Sequence, residues 1–126
     1  MNRTETRTMF IVLDEHGIIR MQIKEGAELD VEDAADNLVV VRNLSAGQPA
    51  LKLVDSRVSW KISDEAKKYL EEDDDPKRTI ARAVIQRSII EKWITTFLSK
   101  LNRPETPIKF FTDEKEALDW LRSFRK

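Results

Sequence analysis

The feature that most constrains this chain is a change of hydrophobic period near residue 25. In residues 8–24 the run MFIVL is rich in strand formers, DEHG supplies a turn, and IIRMQIK alternates apolar and polar side chains, a pattern typical of an antiparallel hairpin with one solvated face. Beyond residue 25, stretches with helical spacing alternate with short apolar runs. Strands that alternate with helices form mainly parallel sheets with right-handed crossovers. The sequence therefore predicts a mixed α/β fold with a sheet of about five strands and the order ββαβαβαβα.

Four helices are expected, each after a residue suited to capping a helix N-terminus: Asp30, Ser63, Ser88, and Thr112 or Asp113. The helix after Ser88 has the clearest pattern, because Glu91 completes a capping box and an apolar stripe continues to Leu101. Besides the hairpin, apolar runs predict strands at 51–55, 80–86 and 108–111. Pro76 and the acidic run 71–75 are expected to end the second helix in a solvated loop.

The composition argues against several classes of protein. The 22 basic and 23 acidic residues nearly cancel, and neither half of the chain is a basic arm, so electrostatic nucleic-acid binding is not expected. Cysteine is absent and His16 is the only histidine, so no transition-metal site or other cofactor is expected. No apolar run approaches the ~20 residues of a membrane span, and the start MNRTETRT has no signal-peptide apolar region. We expect one soluble, cytoplasmic domain over residues 1–126.

Candidate functional residues concentrate in the stretch LVDSRVSWKISDEAKKYL, residues 53–70. Asp55 and Arg57 come directly after an apolar run that is predicted to be a parallel strand. Ligands of open α/β sheets bind at the carboxyl ends of such strands. The two residues either form an ion pair that holds the loop or take part in binding. Asp55 has no identifiable second acid, base or metal ligand near it in the sequence, so we assign no catalytic residue.

Trp60, Ser63 and Asp64 follow in the same stretch, and the first two each have two interpretations. Trp60 either packs onto the end of the sheet or stays exposed as an anchor for a partner. Ser63 is expected to cap the second helix, and it is also a candidate for phosphorylation, because a phosphate at a helix N-terminus meets free amides and a favourable dipole. Asp64 lies in the first turn, where negative charge is favoured.

The chain resembles a known family through the segments LKLVDSR, ISDEAKKYL and SIIEKWITTFLSKLNRPETPIKFFTDEKEALDWL. With the hairpin placed first, these segments and their order are similar to the STAS domain, the SpoIIAA-like fold of bacterial anti-sigma-factor antagonists. Small bacterial STAS/SEC14 domain-containing proteins are the nearest in pattern. The ending PIKFFTDEKEALDWL is the most specific part of the resemblance, which spans almost the whole chain.

The resemblance implies a site at the start of the second helix. In the antagonists a partner kinase phosphorylates a serine there, within a motif similar to Asp-Ser-Ser-Gly. This chain has Ile62-Ser63-Asp64-Glu65-Ala66 at that place, so the serine is kept and the glycine is absent. Either Ser63 occupies the acceptor position, or Asp64 or Glu65 does.

Three classes of function follow. The leading one is a non-enzymatic, regulatory protein-interaction module that uses the surface between the strand at 51–55 and the second helix, with Asp55, Arg57, Trp60, Ser63 and Asp64 as its residues. The second is a module that binds a small apolar ligand or lipid, which kinship of the fold with Sec14-type carriers implies and which requires an apolar cavity. The third is an uncharacterised hydrolase-type enzyme. A protein partner is expected, and a homodimer is an open alternative.

Overall fold

The structure, a computed structural model, describes residues 3–73, 77–88 and 106–125. The elements in chain order are the following: β1 Arg3–Glu5, β2 Met9–Leu13, β3 Ile18–Ile23, β4 Ala27–Leu29, α1 Val31–Ser45, β5 Ala50–Asp55, β6 Trp60–Ile62, α2 Asp64–Asp73, β7 Thr79–Ile85, β8 Ile108–Phe111 and α3 Glu114–Arg122. The helix expected after Ser88 lies outside the described residues. The mixed α/β class predicted from the sequence is confirmed.

The N-terminal hairpin forms as the sequence pattern predicts. Strands β2 and β3 pair antiparallel, with Met9 opposite Ile23 and Leu13 opposite Ile19. Asp14 shapes the turn, because its Oδ1 accepts hydrogen bonds from the backbone N–H groups of His16 and Ile18, both at 2.9 Å. Gly17 has φ 76°, a backbone conformation that glycine adopts without steric strain because it has no Cβ. The turn therefore fixes the register on which the hairpin depends.

The main sheet has six strands in the order β1-β2-β3-β5-β7-β8. Strands β3, β5, β7 and β8 are parallel neighbours, and the hairpin and β1 extend the sheet with antiparallel pairs. All five strands expected from the sequence are present. Three short strands were not expected: β1 at the sheet edge, and β4 and β6, which pair with each other in a separate two-stranded sheet.

Each face of the main sheet packs against its own helical layer. Helix α3 covers one face, with a core of Ile18, Leu51, Leu53, Ala81, Ala83, Ile85, Phe111, Ala117 and Leu121. Helix α1 and the small sheet cover the other face, with a core of Met9, Ile11, Ile19, Ile23, Leu29, Val41 and Ala50. Ile18 and Ile19 are adjacent, yet both are fully buried, as expected for a strand that is covered on both faces.

Helix α2 differs from its expected length. It begins at Asp64 and ends at Asp73, so it continues into the acidic run that the sequence had suggested as a loop. Glutamate is a good helix former, and a proline prevents a helix from continuing through its position without excluding one that ends before it. Helix α2 therefore continues to Asp73, close to Pro76.

Replacement of Leu51 tests the two-sided burial of β5. Leu51 is fully buried at the centre of the sheet, so Leu51→Ala should lower the free energy of unfolding by about 2–5 kcal/mol through lost burial and a residual cavity. Urea unfolding followed by circular dichroism measures this. Val39→Ala is the control, since Val39 is 54% exposed and its loss should change stability by only about 0.5 kcal/mol. Equal midpoints for the two variants would contradict the described position of β5.

Candidate functional site

The starts of helices α1 and α2 lie next to each other. Asp30 caps α1 and Ser63 caps α2, with the Ser63 hydroxyl accepting the N–H of Ala66 at 3.1 Å. The backbone N–H of Ser63 donates to the carbonyl of Leu29 at 2.9 Å. As a result the Ser63 hydroxyl is 3.5 Å from Asp30 Oδ1. The expected cap is confirmed, and the structure adds a carboxylate beside it.

An open groove of about 480 Å³, polar and apolar in about equal parts, runs along these two caps. We call it the helix-start groove, and it is lined by Arg7, Glu28, Leu29, Asp30, Lys61, Ile62 and Ser63. Glu28 and Lys61 are register partners across the parallel strands β4 and β6, and both are exposed. The small sheet thus presents one acid and one base side by side at the groove.

An ion pair between Arg7 and Asp33, which we call the brace, stabilises the helix-start groove. Arg7 Nε donates to Asp33 Oδ1 at 2.9 Å, its Nη2 donates to Asp33 Oδ2, and the same Nη2 reaches the Glu28 carbonyl at 2.7 Å. Asp33 is buried and also accepts the Asp30 N–H at 2.9 Å, which completes the capping box of α1. One two-pronged ion pair therefore ties the N-terminal segment to β4 and α1.

The Arg7 hydrogen bond lowers the pKa of Asp33 below its ordinary value; burial opposes this, and the Asp30 N–H and the charge of Arg7 reinforce it. The same pair raises the pKa of Arg7. Asp33 therefore stays ionised at neutral pH, in the form that accepts both prongs of the guanidinium.

Asp55 and Arg57 form the second cluster, at the carboxyl end of β5. Arg57 Nε and Nη2 donate to the two oxygens of Asp55 at 2.9 and 2.7 Å, and the Arg57 N–H donates to Oδ1 at 3.2 Å. Burial works to raise the pKa of Asp55, but the hydrogen bonds and the charge of Arg57 outweigh it and lower the pKa. The ion pair between the two residues holds the start of the loop.

This cluster continues to helix α3 rather than to Ser63. Glu114, in the first turn of α3, lies 3.7 Å from both Arg57 and Arg20, and Arg20 Nε lies 3.1 Å from the buried Asp14. The charges therefore alternate along a row from β5 to the hairpin turn. No sequence signal pointed to Glu114 or Arg20, because the contacts join residues far apart in the chain.

Trp60 starts β6 and packs against the apolar layer between the sheet and α1. It is half-buried, so the packing that the sequence left as one alternative is the observed one. Asp64 is exposed, with Lys67 Nζ at 3.7 Å from its carboxylate. Of the candidate residues, the structure brings Asp55 together with Arg57, and Ser63 with Asp64. The two pairs have no common partner among the described contacts.

Sequence analysis missed a polar feature inside the apolar layer. Lys52, in the run LKLV, is 2% exposed, and its register partner on β7 is Arg82. Both residues line a largely apolar cavity of about 80 Å³ under α1 and α2. The signal was one lysine within an apolar strand, and it becomes informative only once both faces of that strand are known to be covered.

The described residues limit the chemistry that can be assigned. Within residues 3–73, 77–88 and 106–125, no group of three histidine, aspartate or glutamate side chains is arranged to hold a metal ion. The helices in this part of the chain are all too short or too polar to span a membrane. Three carboxylates that are buried or half-buried, Asp14, Asp33 and Asp55, are each engaged by an arginine.

Comparison with known proteins identifies the family and the fold. Residues 11–125 match the model of a domain of unknown function, DUF7793, so the chain belongs to that family. No curated protein matches the chain.

Two solved structures are similar to it. An uncharacterised protein of the DUF3478 family with a SpoIIAA-like fold, from Shewanella loihica PV-4, is 20% identical, with a TM-score of 0.63 over 95% of this chain and 90% of the other. A protein of unknown function from Arthrobacter sp. FB24 is 25% identical, with a TM-score of 0.34 over 88% and 90%. The first similarity confirms the SpoIIAA-like, STAS-like fold that the sequence resemblance implied.

The brace between Arg7 and Asp33 predicts a specific dependence of stability on pH. Because the folded pKa of Asp33 is below the ordinary value of 3.8, its contribution is present above that value and is lost as pH falls through the folded pKa. The free-energy difference between wild type and Asp33→Asn should therefore shrink as pH is lowered from about 6 to about 2. Urea unfolding at several pH values measures it.

Two further variants test whether this pH dependence comes from the ion pair of Arg7 and Asp33 or from acid sensitivity of the whole protein. Arg7→Met should give the same shrinking difference, because it removes the cause of the lowered pKa. Lys61→Met is the matched control: Lys61 is an exposed cation of the same groove without a described contact to Asp33, so its difference from wild type should not follow that trend. A pH-independent difference for Asp33→Asn would contradict the assignment.

Proposed function

We propose that this domain is a non-enzymatic, cytoplasmic protein-interaction module with a regulatory role. Its binding surface lies between β5 and α2 and includes Asp55, Arg57, Trp60, Ser63 and Asp64. The observation that carries the proposal is the helix-start groove, where two capped helices and a two-stranded sheet place exposed charges around Ser63. Within this surface, Ser63 and Asp64 contact the partner, whereas Asp55 and Arg57 hold the loop that leads to β6.

The charge of the groove indicates the chemistry of the partner. Glu28, Asp30, Asp64 and Glu65 are all exposed around the two helix starts. The exposed basic residues of the groove are Lys61 and Arg7, and Arg7 is already paired with Asp33. An acidic rim of this kind complements a partner surface that carries lysine and arginine. Such complementarity raises the association rate and weakens as salt is added.

The groove is also held rigidly before any partner binds. Arg7 fixes Asp33 and the Glu28 carbonyl, and the Ser63 N–H fixes the Leu29 carbonyl. Backbone and side chains that are already ordered lose less conformational entropy on association. This preorganisation supports binding by the groove and distinguishes it from a flexible charged loop.

Ser63 is placed where a modification would change the groove. The residue is half-buried, and its hydroxyl lies 3.5 Å from the Asp30 carboxylate. A phosphate on Ser63 would gain from the α2 dipole and its free amides, yet it would face a carboxylate at close range. Phosphorylation would therefore separate the two helix starts and alter the binding surface, which is the regulatory part of the proposal.

The carboxylates of the site support a binding role over catalysis. Asp55 is engaged by Arg57, Asp33 by Arg7 and Asp14 by Arg20, and each pair also holds backbone in place. A general acid or base needs an adjustable proton and access to substrate. These three groups act as anchors of loops and caps.

A second candidate function is the binding of a small ligand with an apolar part. The cavity of about 80 Å³ between the sheet, α1 and α2 is the observation that favours it. Met9, Met21, Ile23 and Trp60 are among its lining residues, so its wall is largely apolar. This site is separate from the exposed rim of the helix-start groove.

A charge swap across the small sheet tests the interaction proposal. Glu28→Lys with Lys61→Glu keeps opposite charges in register but reverses their positions on the groove. The double variant should fold as wild type does and lose the partner that wild-type protein captures from its own cells, measured by quantitative mass spectrometry.

The matched control exchanges the exposed neighbours Lys115 and Glu116 on α3 and should keep the partner. If the double variant of Glu28 and Lys61, the groove swap, keeps the partner at unchanged affinity, the proposal is contradicted. If the captured protein is only a second copy of this chain, the homodimer is the result, and sedimentation should show the swap to be monomeric.

Replacement of Ser63 tests the regulatory part. Ser63→Ala removes the cap and should lower the free energy of unfolding by ~1 kcal/mol. Ser63→Asp keeps a cap acceptor but sets a second carboxylate against Asp30, so it should also destabilise, and more at low salt than at high salt.

Asp30→Asn supplies the control, because asparagine caps a helix as well as aspartate does. In the Asp30→Asn protein, Ser63→Asp should leave the free energy of unfolding nearly unchanged. A double-mutant cycle by urea unfolding measures the coupling between residues 30 and 63. Additive effects would show that Asp30 and residue 63 do not interact.

A further inference from the structure

We propose that two copies of this chain pair through strand β1 at the edge of the main sheet, antiparallel and with Thr4 on the two-fold axis. Arg3 of each copy then lies opposite Glu5 of the other, and the two six-stranded sheets become one. This inference concerns the edge of the main sheet. It does not depend on the helix-start groove or on the cavity.

The outer edge of β1 is open in the part of the chain that the structure describes. Strand β1 ends the order of the main sheet, and β2 is its one described neighbour. The Thr6 N–H donates to the Met9 carbonyl at 2.8 Å. Residues that bond to the neighbouring strand alternate along an antiparallel pair, so Thr4 bonds towards β2 as Thr6 does. The backbone N–H and C=O groups of Arg3 and Glu5 therefore point away from the sheet.

These outward groups allow few pairings between two copies. Antiparallel edges match residues whose backbone groups both point outward, so within β1 the axis passes through Arg3, Thr4 or Glu5. An axis at Arg3 sets two arginines opposite each other, and an axis at Glu5 sets two glutamates so. An axis at Thr4 joins an arginine to a glutamate twice, whereas a symmetric parallel pair places like residues side by side. Since opposite charges stabilise a cross-strand pair and like charges destabilise it, the charges favour the axis at Thr4.

The side chains of Arg3 and Glu5 lie on one face of the sheet, beside apolar side chains. Arg3 is the register partner of Val12, and Glu5 is that of Phe10. The guanidinium carbon of Arg3 lies 4.2 Å from the centre of the Phe10 ring, and both Phe10 and Val12 are half-buried. In the dimer each ion pair lies in a row between Phe10 of one copy and Val12 of the other. Partial removal from water strengthens such a pair.

Glu5 has room for a second cation. Its Oε2 accepts a hydrogen bond from Lys24 Nζ at 2.6 Å, and its side chain is still 62% exposed. The hydrogen bond and the charge of Lys24 lower the pKa of Glu5, so the carboxylate is ionised at neutral pH. A carboxylate has two oxygens and several acceptor sites. Glu5 can therefore accept Lys24 within its own copy and Arg3 of the second copy together.

The chain next to β1 is held in place before any pairing. Thr6 Oγ1 donates to Asn37 Oδ1 at 2.6 Å, and the brace of Arg7 and Asp33 follows directly in the chain. Both contacts anchor the segment after β1 to helix α1. Backbone that is already ordered loses less conformational entropy on association. The edge is therefore prepared for pairing.

The two edges of the main sheet differ in how they are protected. Strand β8, at the other end, follows Pro107 and carries the exposed Lys109, and both residue types discourage the pairing of edges. Strand β1 has one charge of each sign and no proline among its three residues. Charges protect an edge when two copies repel each other, but those of β1 are arranged so that two copies attract. The occupant that fits this edge is thus a second copy of this chain.

The small size of the contact sets its strength. Two hydrogen-bonded pairs with two bonds each give four backbone hydrogen bonds, and two ion pairs accompany them. Such a contact belongs to the small, transient class, below the ~1,200 Å² of stable interfaces. We expect a dissociation constant on the order of 0.1 mM.

Charge reversal tests the register. In sedimentation equilibrium over about 0.02–1 mM protein, wild type should self-associate, and more weakly as salt is added. Arg3→Glu sets two acids opposite each other and Glu5→Arg sets two bases so. Each variant alone should therefore have a dissociation constant at least about tenfold higher than wild type. Lys115→Glu, the same change of charge at an exposed position of α3, is the control and should associate as wild type does.

A mixture of the two variants separates complementarity from loss of folding. The edge of Arg3→Glu carries two acids and the edge of Glu5→Arg carries two bases, so these chains should associate with each other at least about tenfold more tightly than either does with itself. The double variant Arg3→Glu with Glu5→Arg restores complementarity within one chain. It should self-associate more tightly than either single variant. Both gains require a folded β1, so they cannot come from damaged protein.

Three results would overturn the inference: wild type that stays monomeric up to about 1 mM, single variants that associate as wild type does, or a mixture that associates no better than its components. The groove swap separates this inference from the interaction proposal, because Glu28 and Lys61 belong to the small sheet. Wild-type self-association by the groove swap, with the partner lost, supports two independent surfaces. Loss of self-association by the groove swap, with Arg3→Glu unaffected, would place the dimer at the groove and overturn the pairing of β1.

Discussion

The rest of the structure depends on the burial of β5 on both faces. The strand has a parallel neighbour on each side, α3 covers one of its faces, and the layer of α1 covers the other. Side chains alternate along a strand, so Leu51 and Leu53 enter one core while Ala50 and Lys52 enter the other. A lysine is thereby forced into an apolar layer, and Asp55 is placed where the strand leaves the sheet. The interior cation and the loop ion pair both follow from this one constraint.

Sequence patterns predicted the elements that carry enough residues to show a period. The hairpin and the strands at 51–55, 80–86 and 108–111 were found because alternation or apolar runs identify them. Strands β1, β4 and β6 have three residues each, too few for a period, and they form because a neighbouring strand is available. The cap at Ser63 and the pairing of Asp55 with Arg57 were predictable because both are local.

The remaining features of the site are not local. Ser63 meets Asp30 across 33 positions, and Arg7 meets Asp33 across 26. Such contacts depend on how α1 and the small sheet pack, which no spacing in the sequence encodes. Lys52 was overlooked for a related reason: a lysine in a strand normally faces water, and only the three-dimensional layering shows that this one does not.

The groove and the cavity are separate in chemistry but share a wall. Leu29 and Ile62, from the two strands of the small sheet, line both of them, and α2 begins at the groove and reaches the cavity at Leu70. Under the two functions proposed above, occupants of the two sites would therefore contact the same small sheet. If a ligand in the cavity shifts β6 or α2, it changes the affinity of the groove for its partner, and thermodynamic linkage requires the partner to change ligand affinity by the same factor. Under the two functions proposed above, partner binding at Ser63 would in this way depend on the ligand, because Ile62 lies next to Ser63 in the chain and lines the cavity as well.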